Sequence, residues 1–578
     1  MKPNAMASFR ILLAALALFI ACTAIAYAQA PPDAGTLMRE QQKTQPPELQ
    51  RLPQAAPEKE PEQLEDSGMK FVIQGFRFSG NQGLATDAEL KGLLADSVGK
   101  EMGLGGLRRL ADRVTKHLNE KGWFLARAYI PKQEIKDGVV EVAVIGGKIE
   151  GGAEIRGKDL RVSQSLLQGI AAGSAPEGKA ATQGELERAV LLMSDLPGVK
   201  ATSTLQPGAG AGTAKLALDV TEGPLVSGLA WGDNYGSRYT GYYRGNALLQ
   251  LNDPFHQGDQ ATFTSTDNTN YQYGQAGYSI PVGYSGLRAG VSYSEMRYEI
   301  DRDQIAVGLD GGSRVVTATL NYPILRSRAA SLSAGLEYDW KNFWDSASNT
   351  LTDNKFINSG GARLTGNVLD SFMGGGYSTL NLGVTGGMLD LAAVPQNLSA
   401  DQLTAGTNGE YCKITYAVNR LQKLYDALSL FVGVNGQAAF NNLDSSEKFL
   451  LGGPNGVRAY PTGEASGDSG GILTGEFRYD FPQVWKLGVP QLVGFYDLGW
   501  TQLHQYPWTN SGTAFGNRNS YTLSGGGVGV NLNKPGVYTI QMAWAAKVGS
   551  NPGRSAAGLD SDGKSDSNRF WVQAMLMF

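Results

Sequence analysis

The chain has 578 residues, of which 18% are charged and 76 are glycine, with a formal net charge of −4. That length exceeds one ordinary domain, and without a basic patch for phosphate contact nucleic acid is excluded as a partner. High glycine beside 24 tyrosines and 20 phenylalanines, with no collagen period, points to a large β structure with many turns.

At the N-terminus Lys2 and Arg10 precede an apolar run over residues 11–21, and Ala26-Tyr27-Ala28 forms a small-x-small cleavage site. Residues 1–28 are therefore expected to be a secretory signal, since the run is shorter than the roughly 20 residues of a spanning helix. Removal of that segment takes Cys22 with it and leaves Cys412 as the single cysteine. A disulfide within the mature chain is then impossible, although the export route is oxidising. Residues 29–68 are rich in Pro, Gln and Glu and read as a linker. Inside it, residues 33–43 lack Pro and predict a short helix capped by Asp33.

From Met69 the composition changes. Residues 71–78 read as a strand, Thr86 and Glu89 as a capping box opening a helix, and Leu107, Leu110, Val114 and Leu118 as the buried stripe of a second helix. Gly122 stops that helix, and strands are expected over 123–130 and 139–145. The order β-α-α-β-β defines a small α+β domain at 69–147. The same order recurs over 148–222, with strands at 149–156, 199–206 and 214–220, a short helix at 163–170, and a longer helix capped by Thr182 and Glu185.

From Gly223 to the last residue no helical period persists. Leu332, Ala334, Leu336, Tyr338 and Trp340 alternate with Ser333, Gly335, Glu337 and Asp339. Tyr243, Gly245, Ala247, Leu249 and Leu251 repeat the scheme, as do Val316, Ala318, Leu320 and Tyr322, the set Tyr538, Ile540, Met542 and Trp544, and the set Phe570, Val572, Ala574, Leu576 and Phe578. A period of two puts each set on one face of a strand. A soluble sandwich would share that pattern. Three features favour a transmembrane barrel instead: strands near the 9–11 residues that cross a bilayer, aromatics such as Tyr338, Trp340 and Phe578 expected at strand ends, and Glu337, Asp339, Arg244 and Arg288 on the opposite, wet face. At roughly 22 residues per strand with its connection, residues 223–578 give a closed antiparallel barrel of about 16 strands.

Catalytic and metal chemistry is scarce. His117, His256 and His504 lie far apart, with His117 on a helix and the other two in expected loops, and no Cys/His cluster has ligand spacing. There is no phosphate-binding glycine loop and no nucleophile motif, so no cofactor, metal or catalytic residue is expected. Glu337 and Asp339 are read as lumen lining rather than as an acid–base pair.

The stretch Leu451-Gly452-Gly453-Pro454-Asn455-Gly456-Val457-Arg458-Ala459-Tyr460 resembles the tip of the long sixth extracellular loop of barrels that carry polypeptide-transport-associated (POTRA) domains. The family pattern there is Val-Arg-Gly-Tyr. Phe495-Tyr496-Asp497-Leu498-Gly499 is similar to the Phe-x-Asp-x-Gly wall-strand motif of the same superfamily. The resemblance implies that Val457, Arg458, Ala459 and Tyr460 fold back into the lumen, where Arg458 meets the strand bearing Phe495, Asp497 and Gly499. Ala459 departs from the pattern; it is read as meeting a need for a small residue rather than for positive φ.

Two small domains, a Pro-rich start and a barrel together resemble the outer-membrane transporter of two-partner (type V) secretion, the haemolysin secretion/activation protein family. That resemblance implies a non-enzymatic conduit in the outer membrane of a Gram-negative bacterium, with its N-terminal domains in the periplasm. It implies a plug helix at 33–43 and a large secreted exoprotein partner, adhesin-like or haemolysin-like, translocated unfolded. Outer-membrane lipid surrounds such a barrel, and Phe578 fits the terminal signal read by the outer-membrane assembly machinery. Two other readings stay open here: an insertase for other outer-membrane proteins, and a barrel hydrolase.

Overall fold

The computed structural model describes residues 31–44, 71–123, 125–135, 137–177, 182–209, 213–482 and 487–578. The expected signal at 1–28 and the linker residues 45–70 lie outside the described residues. Helix α1 (Ala34–Lys43) comes first. The Asp33 carboxylate accepts from the Thr36 N–H at 2.9 Å, satisfying one of the otherwise unpaired donors of the first turn.

The first α/β unit contains α2 (Asp87–Leu94) and α3 (Leu104–Glu120) packed on a three-stranded sheet. Leu107, Leu110, Ala111, Val114 and Leu118 form the buried stripe of α3 and pack with Phe76, Phe78, Val140 and Val142. Val139–Ile145 is the central strand, parallel to Gly75–Ser79 and antiparallel to Arg127–Tyr129. Two expected strands are cut short. The one at 71–78 breaks because the Ile73 N–H turns to Lys100 O and Gln74 to Gly138 O. Phe71–Val72 then pairs with Glu101–Met102 instead. The one at 123–130 shrinks to Arg127–Tyr129 because the Trp123 N–H bonds back to Leu118 O and closes the end of α3.

The capping box expected at Thr86 is also half made. Thr86 accepts from the Glu89 N–H at 3.3 Å, but the Glu89 carboxylate instead meets His117 at 2.7 Å and Lys121 at 3.0 Å on α3. The His117 hydrogen bond, followed by that of Lys121, lowers the Glu89 pKa from 4.5 to about 2. A lowered carboxylate stabilises the fold above its unfolded value and loses that contribution as pH falls toward its folded one. Glu89→Gln is therefore expected to flatten the acid dependence of amide exchange in α2 and α3 between pH 4.5 and about 2.

The second unit repeats this connectivity. Its central strand Thr213–Glu222 runs parallel to Lys148–Arg156 and antiparallel to Val199–Pro207, with α4 (Gln164–Ser174) and α5 (Gln183–Ser194) against it. Here the capping box is complete: Thr182 and Glu185 each accept from the other's backbone N–H. This unit is fastened to the near-end turns of the barrel. Asp195 takes a forked pair from Arg326 at 2.6 and 2.8 Å, and Arg188 donates to Pro323 O at 2.8 Å.

The barrel strands are β1 (Val226–Asp233), β2 (Arg244–Asn252), β3 (Gln260–Asn268), β4 (Tyr271–Pro281), β5 (Arg288–Glu299) and β6 (Leu309–Arg326). They continue as β7 (Ala330–Ala347), β8 (Thr350–Asp370), β9 (Gly376–Asp390), β10 (Gly409–Lys423) and β11 (Leu428–Ala439). The last are β12 (Ser469–Asp480), β13 (Val489–Gln502), β14 (Ser520–Lys534), β15 (Tyr538–Val548) and β16 (Asn568–Met577). Each pairs antiparallel with its neighbours and β16 returns to β1, closing a sixteen-stranded barrel. Closure leaves no sheet edge in lipid, which a spanning sheet requires and an open sandwich would not provide. Outward side chains such as Leu336, Tyr338, Leu492 and Val528 are exposed, while inward ones such as Arg244 and Asp339 are buried.

Two expectations about this half are corrected. Tyr338 and Trp340 sit in the middle of the 18-residue β7, not at its end. Beyond Trp340 the outward face runs on through Asn342 and Trp344, so the strand outlasts the strict apolar alternation. A helix also interrupts the β region: α6 (Pro395–Leu403), with Pro at its start where a missing N–H costs nothing, in the loop between β9 and β10.

Candidate lumen site

The long loop at 440–468 leaves β11 at the far end and folds back into the barrel. A short ribbon, Phe449–Leu450 against Ser466–Gly467, stiffens its stem. At the tip Val457 donates to Leu451 O at 2.9 Å, and Tyr460 to Val457 O at 3.1 Å. Val457, Ala459 and Tyr460 are fully buried, in one cluster with Phe495 and Leu523 of the wall.

Arg458 points at β13. Its Nε lies 2.8 Å from Asp497 Oδ2 and one terminal nitrogen 2.7 Å from Oδ1, while the other donates to Glu476 Oε1 on β12 at 2.7 Å. The guanidinium carbon lies 3.5 Å from the Phe495 ring centre. Arg478 holds the far oxygen of Glu476 at 2.7 Å, and the Trp571 indole donates to Arg458 O at 2.7 Å. A planar, permanently charged fork suits two carboxylates and an aromatic face at once. The Asp497 side chain is 0% exposed, so Arg458 supplies hydrogen bonds that water does not.

Phe495, Asp497 and Gly499 occupy successive inward positions of β13, and each has a separate job. Phe495 lies under the guanidinium, Asp497 takes its fork, and Gly499 makes room: a Cβ there would stand 2.8 Å from Val457 Cγ2. Gly525 on β14 does the same for Ala459, whose methyl would be 2.4 Å from an added Cβ. Ala459 has no left-handed φ, so its side chain is limited by space alone. Ala459→Gly is expected to leave loop docking and export within about twofold, since a small cavity costs only about 1 kcal/mol. Gly525→Val should unseat the tip, read as new protease cleavage in 440–468 on intact cells.

The tip also touches α1, which lies inside the lumen. Lys43 Nζ donates to the carbonyls of Leu450 at 2.5 Å and Gly452 at 3.2 Å, and Asn455 returns a bond to Lys43 O at 2.9 Å. At the other end Asp33 accepts from Ser445 at 2.5 Å and faces Lys355 on β8 at 3.3 Å. Glu476, Gly525, Trp571 and Lys43 were not singled out from sequence. For Glu476 a signal existed, because Thr474, Glu476 and Arg478 are the inward set of β12 opposite the exposed Leu473 and Phe477.

Phe578 sits at the closing seam, where its N–H and carbonyl exchange bonds with Gly228 at 3.0 and 2.8 Å. Below the tip lies a lumen cavity of about 420 Å³, lined by Asn435, Asn531 and Gln541 among others. Among the described residues no His, Cys, Asp and Glu group is placed to hold a metal ion.

Comparison with known proteins matches residues 212–532 to the family model for haemolysin secretion/activation protein ShlB/FhaC/HecB, and residues 71–147 to the ShlB-type POTRA domain. Heme/hemopexin transporter protein HuxB of Haemophilus influenzae is 26% identical over 566 residues, covering 95% of both chains. Outer membrane transporter CdiB of Escherichia coli is 22% identical over 462 residues, covering 78% of this chain and 76% of that one. The solved structure of CdiB from Escherichia coli superposes with a TM-score of 0.73 at 18% identity, over 95% of this chain and all of that one, which is a likeness of fold. With its POTRA domain, closed barrel and a family match over more than half its length, the chain belongs to the haemolysin secretion/activation protein family ShlB/FhaC/HecB.

Proposed function

We propose that the loop at 440–468 and helix α1 together form the gate of this transporter. As a member of its family the chain is an outer-membrane transporter of two-partner secretion, which takes an exoprotein in the periplasm and passes it to the cell surface. The observation that carries the gate is the Lys43–Leu450 contact, which joins plug to loop inside the lumen. Displacing either one strips hydrogen bonds from the other, so the two move as a unit. No nucleotide is reachable across the periplasm, and folding of the partner outside supplies direction.

The second α/β unit, at 148–222, is read as another POTRA domain after the one at 69–147, on the strength of its matching strand order. Edge strands such as Arg127–Tyr129 and Val199–Pro207 offer main-chain bonds to an extended partner, adhesin-like or haemolysin-like, without strict sequence demands. The outward apolar face takes membrane lipid, and Phe578 with the outward Leu576 and Phe570 forms the strand presented to the assembly machinery. The seam paired down to Phe578 favours passage through the lumen over a lateral gate of the insertase kind, and nothing in the site favours hydrolysis.

Deleting the gene tests this reading. The cognate exoprotein should then accumulate in the periplasm while other outer-membrane barrels reach normal levels. Undiminished export would contradict transport, and general loss of barrels would point to insertion instead.

A further inference from the structure

Most inward positions of β5–β10 are polar, as a wet lumen requires, but one level near the far end is not. Met296, Phe343, Ile357 and Leu389 point inward there and are 0–2% exposed. The register sets them close together: Met296 and Phe343 both oppose Ser313, Phe343 opposes Lys355, and Ile357 opposes Leu389. The belt is covered in part by α1, whose Ala34, Leu37 and Met38 join the same cluster, as does Leu443 of the loop. The helix is held by polar contacts along its length, from Asp33 through Arg39 and Gln41 to Lys43, and its first half supplies the apolar cover.

We propose that this belt is a binding site for apolar side chains of the exported polypeptide, which take the places that Ala34, Leu37 and Met38 hold in the closed state. The proposal rests on the gate reading above. Once α1 leaves, the belt faces water, and burial there is favourable in proportion to the apolar area covered. The next chain in the lumen is an unfolded one, with apolar side chains uncovered. Its occupancy needs no particular sequence, only an apolar residue every few positions.

The test uses the chain lacking residues 33–45 in planar bilayers, with the full chain as the closed control. The probes are a twelve-residue peptide alternating valine with threonine, lysine-tipped for solubility, and its counterpart with serine for valine. The valine peptide is expected to block the current at about tenfold lower concentration than the serine one, equivalent to roughly 1.4 kcal/mol of preference. In the Phe343→Ser, Ile357→Ser background that preference should shrink to within about twofold, since two of the belt's apolar contacts are gone. Unchanged open conductance of that variant shows that its barrel is intact. Equal block by both peptides, or a preference that survives the double substitution, overturns the proposal. If the deletion leaves conductance at the full-chain level, the gate reading itself fails and the belt proposal falls with it.

Discussion

Arg458→Ala is expected to lower export of the partner by about tenfold or more while the barrel still inserts and resists unfolding in detergent. The substitution removes the fork to Asp497, the bond to Glu476 and the stack on Phe495 together. Glu476 keeps Arg478 as a partner at 2.7 Å, but Asp497 is left without a cation, holding only the Thr474 hydroxyl and the backbone N–H of residue 458, each at 3.1 Å. Removing one member of a buried pair costs about 3–5 kcal/mol because the other charge stays buried. That cost falls on the docked loop rather than on the strands, whose backbone ladders do not involve Arg458. Undocking is the cheaper response, since it lets water reach Asp497. Arg458→Lys keeps the charge but loses the fork, so intermediate export is expected. Heat-modifiable mobility on gels checks the barrel, and exoprotein in the medium checks export; full secretion by the alanine variant would remove the loop from the mechanism.

Deleting residues 33–45 is expected to raise single-channel conductance several-fold. The described part of that segment is a ten-residue helix across the lumen, and a helix with its side chains is about 10–12 Å wide. The barrel should survive its loss. Lys355, deprived of Asp33, retains Asp444 at 2.8 Å and Asp353 at 3.6 Å. Arg244, deprived of the Thr44 hydroxyl, retains Asp233 at 2.8 Å. Lys43→Met, which removes the link to the loop carbonyls and the ammonium above the Phe449 ring, should produce brief openings rather than a steady open state. Conductance equal to that of the intact chain would remove the plug assignment.

The barrel was legible because lipid and lumen place opposite demands on neighbouring residues. Leu336 and Asp339 could be assigned to faces from β7 alone, and strand number followed from length. Arg458 and Asp497 were nameable because their surrounding motifs are distinctive. Less visible was everything decided by long-range contacts. Nothing in residues 71–78 announces that Ile73 will turn to Lys100. Nothing near Gly525 says that Ala459, some seventy residues earlier by number, needs its space. The resemblance implied α1 as a plug, but its anchors were hidden for the same reason, since Lys355, Ser445 and Leu450 lie hundreds of residues away. The break in the rule of polar inward residues at Phe343 and Ile357 becomes meaningful only once Leu37 and Met38 are seen in the same cluster.

That the lumen is the conduit is tested most directly by crosslinking to a partner stalled in transit. A photoreactive residue would be placed at inward positions on opposite walls, Phe343 and Asn531, and at the outward positions Leu336 and Val528. The exported chain would be stalled by a disulfide-closed domain fused behind its leading segment. Adducts from the inward positions, with none from the outward ones, are the expected result. Adducts from Leu336 or Val528, or none from either inward wall while the partner still reaches the surface, would contradict passage through the barrel.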